Sequence, residues 1–329
     1  MIDVTVLFLD EGHASTAIGP LEVFRDAGVL WGQLTGVPVR PRFRVRSASI
    51  GGRPVRANAS YTIHPDEALD MITDTDLVFV PSVGLDLDAS LLRNEPVVAF
   101  LRRMRASGAR IAGVCSGVAL LAAAGILDGK IATSHWGLVA LYRERFPTVE
   151  WQADALVTES DGIYCGGGVY AALDLALYLV ERLSDRTTAV ECSKALLIGM
   201  PRPCQAGFAV LPLGRRHGDD AIRRAEEWIH RRCREEVCFE TLAREIGMSP
   251  RNFIRRFKQA TGLAPVDYLQ RLRILAAKRI LEEDGIGVQE VGLSVGYADT
   301  AFFRSLFKRH TGLTPAVYRR QFGPSAVVQ

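Results

Sequence analysis

Residues 239–262 read FETLAREIGMSPRNFIRRFKQATG. Leu242, Ala243 and Ile246 recur at the spacing of one buried helix face. Gly247 follows, and glycine takes the positive φ of a tight turn at no steric cost. The Ser249 hydroxyl is placed to cap a second helix, and Pro250 suits its first position. Helix, glycine turn and capped helix together are the parts of a helix-turn-helix. In the second helix Phe253 and Phe257 share one side. Arg251, Asn252, Arg255, Arg256 and Lys258 occupy the other faces and offer donors to phosphates and base edges.

The pattern returns in residues 288–315, VQEVGLSVGYADTAFFRSLFKRHTGLTP. Val288, Val291 and Leu293 precede Gly296, Asp299 or Thr300 stands at the cap, and Phe303 and Phe307 fall on one face. Both copies close alike, QATGLAPVDYLQR at 259–271 and RHTGLTPAVYRRQ at 309–321, each with a helix-stopping glycine and a proline that opens the next helix. Between them, Leu269, Leu272, Leu275, Ala276 and Ile280 predict a connecting helix over 265–281. At that length it is a rod of roughly 25 Å, able to hold two units about one DNA turn apart.

Residues 296–320, GYADTAFFRSLFKRHTGLTPAVYRR, resemble the signature of the AraC/XylS transcription regulators, and the resemblance extends over about 220–322. It implies that each recognition helix enters a major groove. It also implies base or phosphate contact at Arg251, Asn252 and Arg255, then at Thr300, Arg304 and Ser305. One departure stands out. Where the family has a small polar residue followed by arginine, this chain has Arg304 followed by Ser305. The first unit is therefore expected to supply more of the base discrimination and the second more of the anchoring.

Charge agrees with a nucleic-acid partner. From Gly218 onward there are 19 Lys and Arg against 14 Asp and Glu, so the net +3 of the whole chain hides a basic C-terminal part and a slightly acidic remainder. The six cysteines have neither the paired spacing of a zinc site nor the density of a disulfide scaffold, which predicts reduced thiols, no metal and a cytoplasmic protein. The apolar start, MIDVTVLFLD, has no basic flank and is far too short to span a membrane.

Upstream, apolar runs at 4–9, 43–47, 77–81 and 109–114 alternate with helical patterns at 20–27, near 65–71, at 96–107, from Ser116 and at 169–183. Such alternation predicts an α/β domain, an open, mostly parallel flavodoxin-like sheet covered by helices on both faces. Glycine and proline then concentrate and periodicity is lost. The expected organisation is an α/β domain over 1–198, a linker over 199–218 and an all-α domain with two helix-turn-helix units over 219–329.

Residues 109–136, ARIAGVCSGVALLAAAGILDGKIATSHW, place Cys115 between a strand and a helix, as in a nucleophile elbow. A helix N-terminus there would favour the thiolate, and His135 would act as base or orient the thiol. With GPLEVFRDAGV at 19–29, this region resembles the PfpI family, of the class I glutamine amidotransferase-like fold, over about 2–197. In enzymes of that family the cysteine works with a carboxylate, a histidine and an oxyanion hole. Here Thr16 falls where the carboxylate belongs, and Ser82 and Val83 replace the expected glycine-containing pair.

An incomplete acid/base set points to a sensor with no catalytic residues and no cofactor, its small-molecule effector near Thr16, Ser82, Cys115 and His135. The alternatives are a cysteine-dependent hydrolase or lyase and a thiol redox sensor, both centred on Cys115. Gly166, Gly167 and Gly168 lack the Lys-Ser/Thr of a phosphate loop and are expected to allow close helix-to-strand packing. The two domains together, with RPCQAGF at 202–208 between them, resemble the GlxA-like group of regulators. That resemblance implies promoter DNA as partner, RNA polymerase as a further one if the chain activates, a homodimer, and no membrane.

Overall fold

The computed structural model describes residues 1–58, 61–200, 202, 204–209 and 217–324. It divides into two units, Met1–Gln205 and Ala206–Gln329. Among the described residues no helix is long and apolar enough to cross a membrane.

The first unit is built on strands β1 (Ile2–Leu7), β2 (Phe43–Ser49), β5 (Glu67–Ala68), β6 (Leu77–Val80), β7 (Arg110–Val114), β10 (Val157–Ser160) and β11 (Ile163–Gly166), in the order β10-β11-β7-β6-β1-β2-β5. Neighbours are parallel except β10 and β11. Two small pairs complete the strands, β3 (Val55–Arg56) with β4 (Thr62–Ile63) and β8 (Ile131–Ala132) with β9 (Glu150–Trp151).

Because successive side chains alternate across a strand, each central strand feeds two cores. Val4, Val6, Leu77 and Phe79 pack beneath α1 (Ser15–Asp26), α7 (Ala171–Leu183) and α8 (Arg186–Leu196). Leu7, Val78, Val80 and Ile111 pack beneath α4 (Glu95–Ala106), α5 (Val118–Ala123) and α6 (Val139–Arg145). Two short helices, α2 (Leu30–Thr35) and α3 (Leu87–Arg93), complete this unit.

The helix expected near 65–71 is instead strand β5 followed by a 3-10 turn, Leu69–Met71. The Asp66 carboxylate accepts from both the backbone N–H and the hydroxyl of Ser47, each at 2.8 Å, which stitches this segment to the edge of β2. Of the linker expected over 199–218, positions 201, 203 and 210–216 lie outside the described residues. The described part is not loose. Asp174 accepts from the Arg202 backbone N–H at 2.9 Å and from its guanidinium at 2.6 Å. Gln205 is buried, with its amide nitrogen 2.7 Å from the Ser134 carbonyl and 3.0 Å from that of Ala153.

The second unit is helical: α9 (Asp220–Arg232), α10 (Phe239–Glu245), α11 (Pro250–Thr261), α12 (Pro265–Glu283), α13 (Val288–Ser294), α14 (Thr300–Thr311) and α15 (Pro315–Phe322). It has two cores. Phe253, Phe257 and Leu242 pack with Tyr268, Leu269 and Leu272 from the first half of α12. Phe303, Phe307 and Val291 pack with Ile274, Ala277 and Leu281 from its second half. Between them Arg273 donates from Nε to the Cys233 carbonyl at 2.6 Å, from Nη2 to that of Glu235 at 2.6 Å and from Nη1 to that of Gly296 at 3.1 Å. Its guanidinium also lies 4.9 Å from the centre of the Tyr297 ring.

Arg273→Ala leaves three carbonyls without this donor and is expected to lower stability by roughly 2–4 kcal/mol. Arg273→Lys should recover only part of that, because an ammonium cannot reproduce the planar fork. Urea titration of the full chain followed by far-UV circular dichroism checks this, and an unchanged midpoint in both variants would show the staple to be dispensable.

Candidate functional site

The two helix-turn-helix units repeat at an offset of fifty residues. Ser249 caps α11 by accepting from the Asn252 N–H, and Asp299 caps α14 by accepting from Ala301 N–H at 2.8 Å and Phe302 N–H at 3.1 Å. Phe253, Phe257, Phe303 and Phe307 are all fully buried. At the far ends Thr261 and Thr311 each donate a hydroxyl back to a phenylalanine carbonyl at 2.8 Å, before Gly262 and Gly312 take φ of 81° and 76°. Tyr268 and Tyr318 then set their rings edge-on against Phe257 and Phe307, at 5.2 and 5.3 Å. The threonine bonds and the tyrosine–phenylalanine contacts of the two units thus repeat to within about 0.1 Å. Their exposed residues do not.

On α11, Arg251, Arg255 and Lys258 are exposed at i, i+4 and i+7 and so form one ridge. Asn252, half-buried, accepts through Oδ1 from Nη2 of Arg255 at 3.0 Å. Arg256 is engaged within the protein. Both of its bonds, at 3.0 and 2.8 Å, go to Asp219, which itself caps α9. On α14 the matching ridge is Ala301, Ser305 and Lys308, all exposed, with Thr300 half-buried in the first turn. Arg304 is exposed too and occupies the position of Ile254, three residues after Ala301 and four before Lys308, on the border of the ridge and about 100° around the helix from Ser305.

In the first unit Cys115 follows β7 and takes φ +54°, a left-handed conformation that costs a non-glycine residue energy and matches the expected elbow. Surrounding bonds hold it there. Ser134 donates its hydroxyl to the Cys115 carbonyl at 2.7 Å, and Ser116 accepts from the Val83 N–H at 2.9 Å and donates to the Val83 carbonyl. Gly117 sits so close to the Pro81 carbonyl that a Cβ would lie 1.9 Å from its oxygen, so only glycine fits.

The expected activation of the thiol is not what the structure gives. Cys115 is 4% exposed, and burial pushes its thiol above the ordinary range despite hydrogen bonds with Ser116 that favour the thiolate. Desolvation here outweighs the elbow's position before a helix. Among the described residues His135 makes no bond to Cys115. Its Nδ1 accepts from the Gly137 N–H at 3.1 Å, and burial, with a smaller repulsion from His13, holds it below the ordinary histidine range. Gly168 makes room for its ring, since a Cβ there would come within 3.0 Å.

Thr16 and Ser82 are brought together. Their hydroxyls lie 2.9 Å apart, Thr16 donates to the His13 carbonyl at 2.6 Å, and Ser82 accepts from the His13 N–H at 2.9 Å. The two backbone donors after β6 are also engaged. Ser82 N–H bonds to the Thr16 hydroxyl at 3.0 Å and Val83 N–H to that of Ser116. Beside them, a chamber lined by Phe8, His13, Ala17, Pro81 and Ser82 has a volume of about 10 Å³, room for one water. An open groove of about 620 Å³ lies at the neighbouring loops, lined by Asp10, Glu11, Arg53, Arg56, Asn58 and Arg93.

Sequence reasoning missed His13 and this groove. The only local signals were the polar run EGHAST after β1 and the arginines at 53 and 56. Among the described residues no cluster of His, Cys, Asp or Glu is arranged to hold a metal ion.

The family described as DJ-1/PfpI matches residues 3–182, and that described as a helix-turn-helix domain matches residues 242–321. The chain is 30% identical over 287 residues to the HTH-type transcriptional regulator GlxA of Rhizobium meliloti, covering 86% of this chain and 87% of that one. It is 27% identical over 285 residues to the HTH-type transcriptional regulator GbdR of Pseudomonas aeruginosa, covering 86% and 76% respectively. The fold of the first unit is shared with Drosophila melanogaster DJ-1beta, at a TM-score of 0.51 and 22% identity over 60% of this chain and 98% of that one. The chain thus belongs to the DJ-1/PfpI family through its first domain and, as a whole, to the GlxA-like HTH-type transcriptional regulators that carry an AraC-type DNA-binding domain.

Proposed function

We propose that this regulator binds promoter DNA through both helix-turn-helix units, laid in successive major grooves, and that its α/β domain is a non-catalytic effector-sensing or dimerising module. The observation that carries the reading is the matched pair of recognition helices, each fixed by the same caps and buried aromatics and each presenting Lys or Arg to solvent. Arg251, Asn252, Arg255, Thr300, Arg304 and Ser305 form the DNA-facing set. Lys258 and Lys308 neutralise phosphates. Activation of transcription, with RNA polymerase as partner, is the sign we favour from the family resemblance, in the cytoplasm and as a homodimer.

The geometry around Cys115 supports sensing over catalysis. Thr16 cannot exchange a proton as a carboxylate does, and the N–H groups of Ser82 and Val83, which an oxyanion would need, already have partners. The same burial weighs against a peroxide-sensing thiolate. The chamber at His13 and Ser82 holds no more than about one water, so an effector enters either by widening it or through the charged groove beside it.

Genome-wide mapping of bound DNA is expected to give discrete promoter sites. On such a site Arg251→Ala and Arg304→Ala should each weaken binding by about 1–3 kcal/mol at fixed salt, and Lys258→Ala should reduce the salt slope by about one. Arg256→Ala should leave affinity unchanged, since that guanidinium is held by Asp219. Gel shifts in which neither Arg251→Ala nor Arg304→Ala loses affinity would overturn the assignment.

Thiol reactivity separates the readings of Cys115. Near neutral pH iodoacetamide is expected to label the exposed Cys238 first, because the Thr241 hydroxyl, 3.4 Å from its sulfur, favours its thiolate. Cys115, Cys165 and Cys192, held above the ordinary range by burial, should label slowly, and only as pH rises well above neutral. Peptide mass mapping in which Cys115 labels as fast as Cys238 would restore a nucleophilic reading.

A further inference from the structure

The offset of fifty residues turns the second unit into an internal control for the first. Where the caps, threonine bonds and buried rings correspond residue for residue, a difference on the exposed ridge is a difference in what the ridge can read. On α11 the ridge offers two guanidiniums, Arg251 and Arg255, and on α14 the same two positions are Ala301 and Ser305. Lys258 and Lys308 occupy the third position in both, so the contrast is confined to the first two positions of the ridge.

A second difference reinforces the first. Asn252 holds the Arg255 guanidinium by a hydrogen bond of 3.0 Å, one that uses a single N–H of the fork and leaves others for a ligand. The residue fifty positions on is Phe302. It has no acceptor and packs its half-exposed ring against Tyr297, the centroids 5.8 Å apart. The second unit therefore has neither a guanidinium at the position of Arg255 nor the group that positions it. Its arginine, Arg304, stands one residue earlier, at the position of Ile254.

Resting on the promoter-binding reading above, we propose that the two units read chemically unlike half-sites. In the first, Arg255, positioned by Asn252, demands a guanine by paired donation to O6 and N7. In the second, the Ala301 methyl and the small Ser305 admit a thymine methyl and select an A·T pair, while Arg304 holds a phosphate. Asn252 is thus a positioning residue for Arg255.

The test is selection of bound duplexes from a random-sequence DNA library by the full-length chain. Wild type is expected to enrich a two-part motif, with the parts about one helical turn apart, a near-invariant G in one part and an A·T pair in the other. Arg255→Ala should abolish the G preference and so assign that part to the first unit. Asn252→Ala should lower the G preference at that one position roughly tenfold, within the range of a bidentate base contact. Asn252→Asp, which keeps the acceptor, should restore it.

Replacing the selected thymine by uracil removes only the methyl group and should weaken binding about threefold or more. The pair Phe302→Asn with Ser305→Arg should make the second part demand G. Equal G preference in both parts of the wild-type motif, a G preference that survives Asn252→Ala, or indifference to uracil would each overturn the inference while leaving promoter binding intact. Failure of wild type to enrich any motif would overturn promoter binding itself.

Discussion

A single guanidinium halfway along α12 ties the DNA-binding domain together. Arg273 bonds to carbonyls on the chain leaving α9 and to Gly296 in the turn of the second helix-turn-helix, so both units are referred to one point on one rod. At 19 residues α12 is about 28 Å long, and its two halves are built into different cores. Recognition helices carried on such a frame have their separation set by helix rise and not by a flexible linker. That is the requirement for meeting two grooves at once. The capping bonds, threonine back-bonds and aromatic edges then serve a common end, fixing each recognition helix to its own half of the rod.

The first domain keeps the shape of an elbow around a buried thiol. Cys115 retains the strained left-handed conformation of an elbow, and a ring of bonds from Ser134, Ser116 and the close approach of Gly117 to Pro81 maintains it. Each group that would turn the shape into a reaction centre is missing or engaged elsewhere. Thr16 and Ser82 bond to each other, His135 is turned to its own backbone, and burial disfavours the thiolate. Strain of this kind persists only where its surroundings over-determine it. Here the surroundings are the bonds from Ser134 and Ser116 and the backbone of Pro81 at the strand ends.

Much of this architecture was legible in the residues, and the divisions between success and failure are physical. Phe253, Phe257, Phe303 and Phe307 declare their burial by spacing, and Gly247, Ser249 and Asp299 declare their turns and caps by their own chemistry. Alternating sheet and helix patterns likewise report which face is apolar. Periodicity does not report which polar partner waits across a fold. Arg256 reads as a free donor until Asp219, 37 residues earlier, is seen to hold it. Residues 65–71 read as helix because nothing local reveals the two bonds from Ser47. Cys115 reads as activated because an elbow's position can be inferred from sequence and its desolvation cannot. His13 and the groove arise from loops that meet only in three dimensions.

The unlike ridges on α11 and α14 are joined in a fixed order by one continuous helix, and that gives the domain a polarity. A symmetric pair of readers would sit equally well either way round on its site. This pair has a front and a back, so a single DNA-binding domain laid on such a site distinguishes one direction along the duplex from the other.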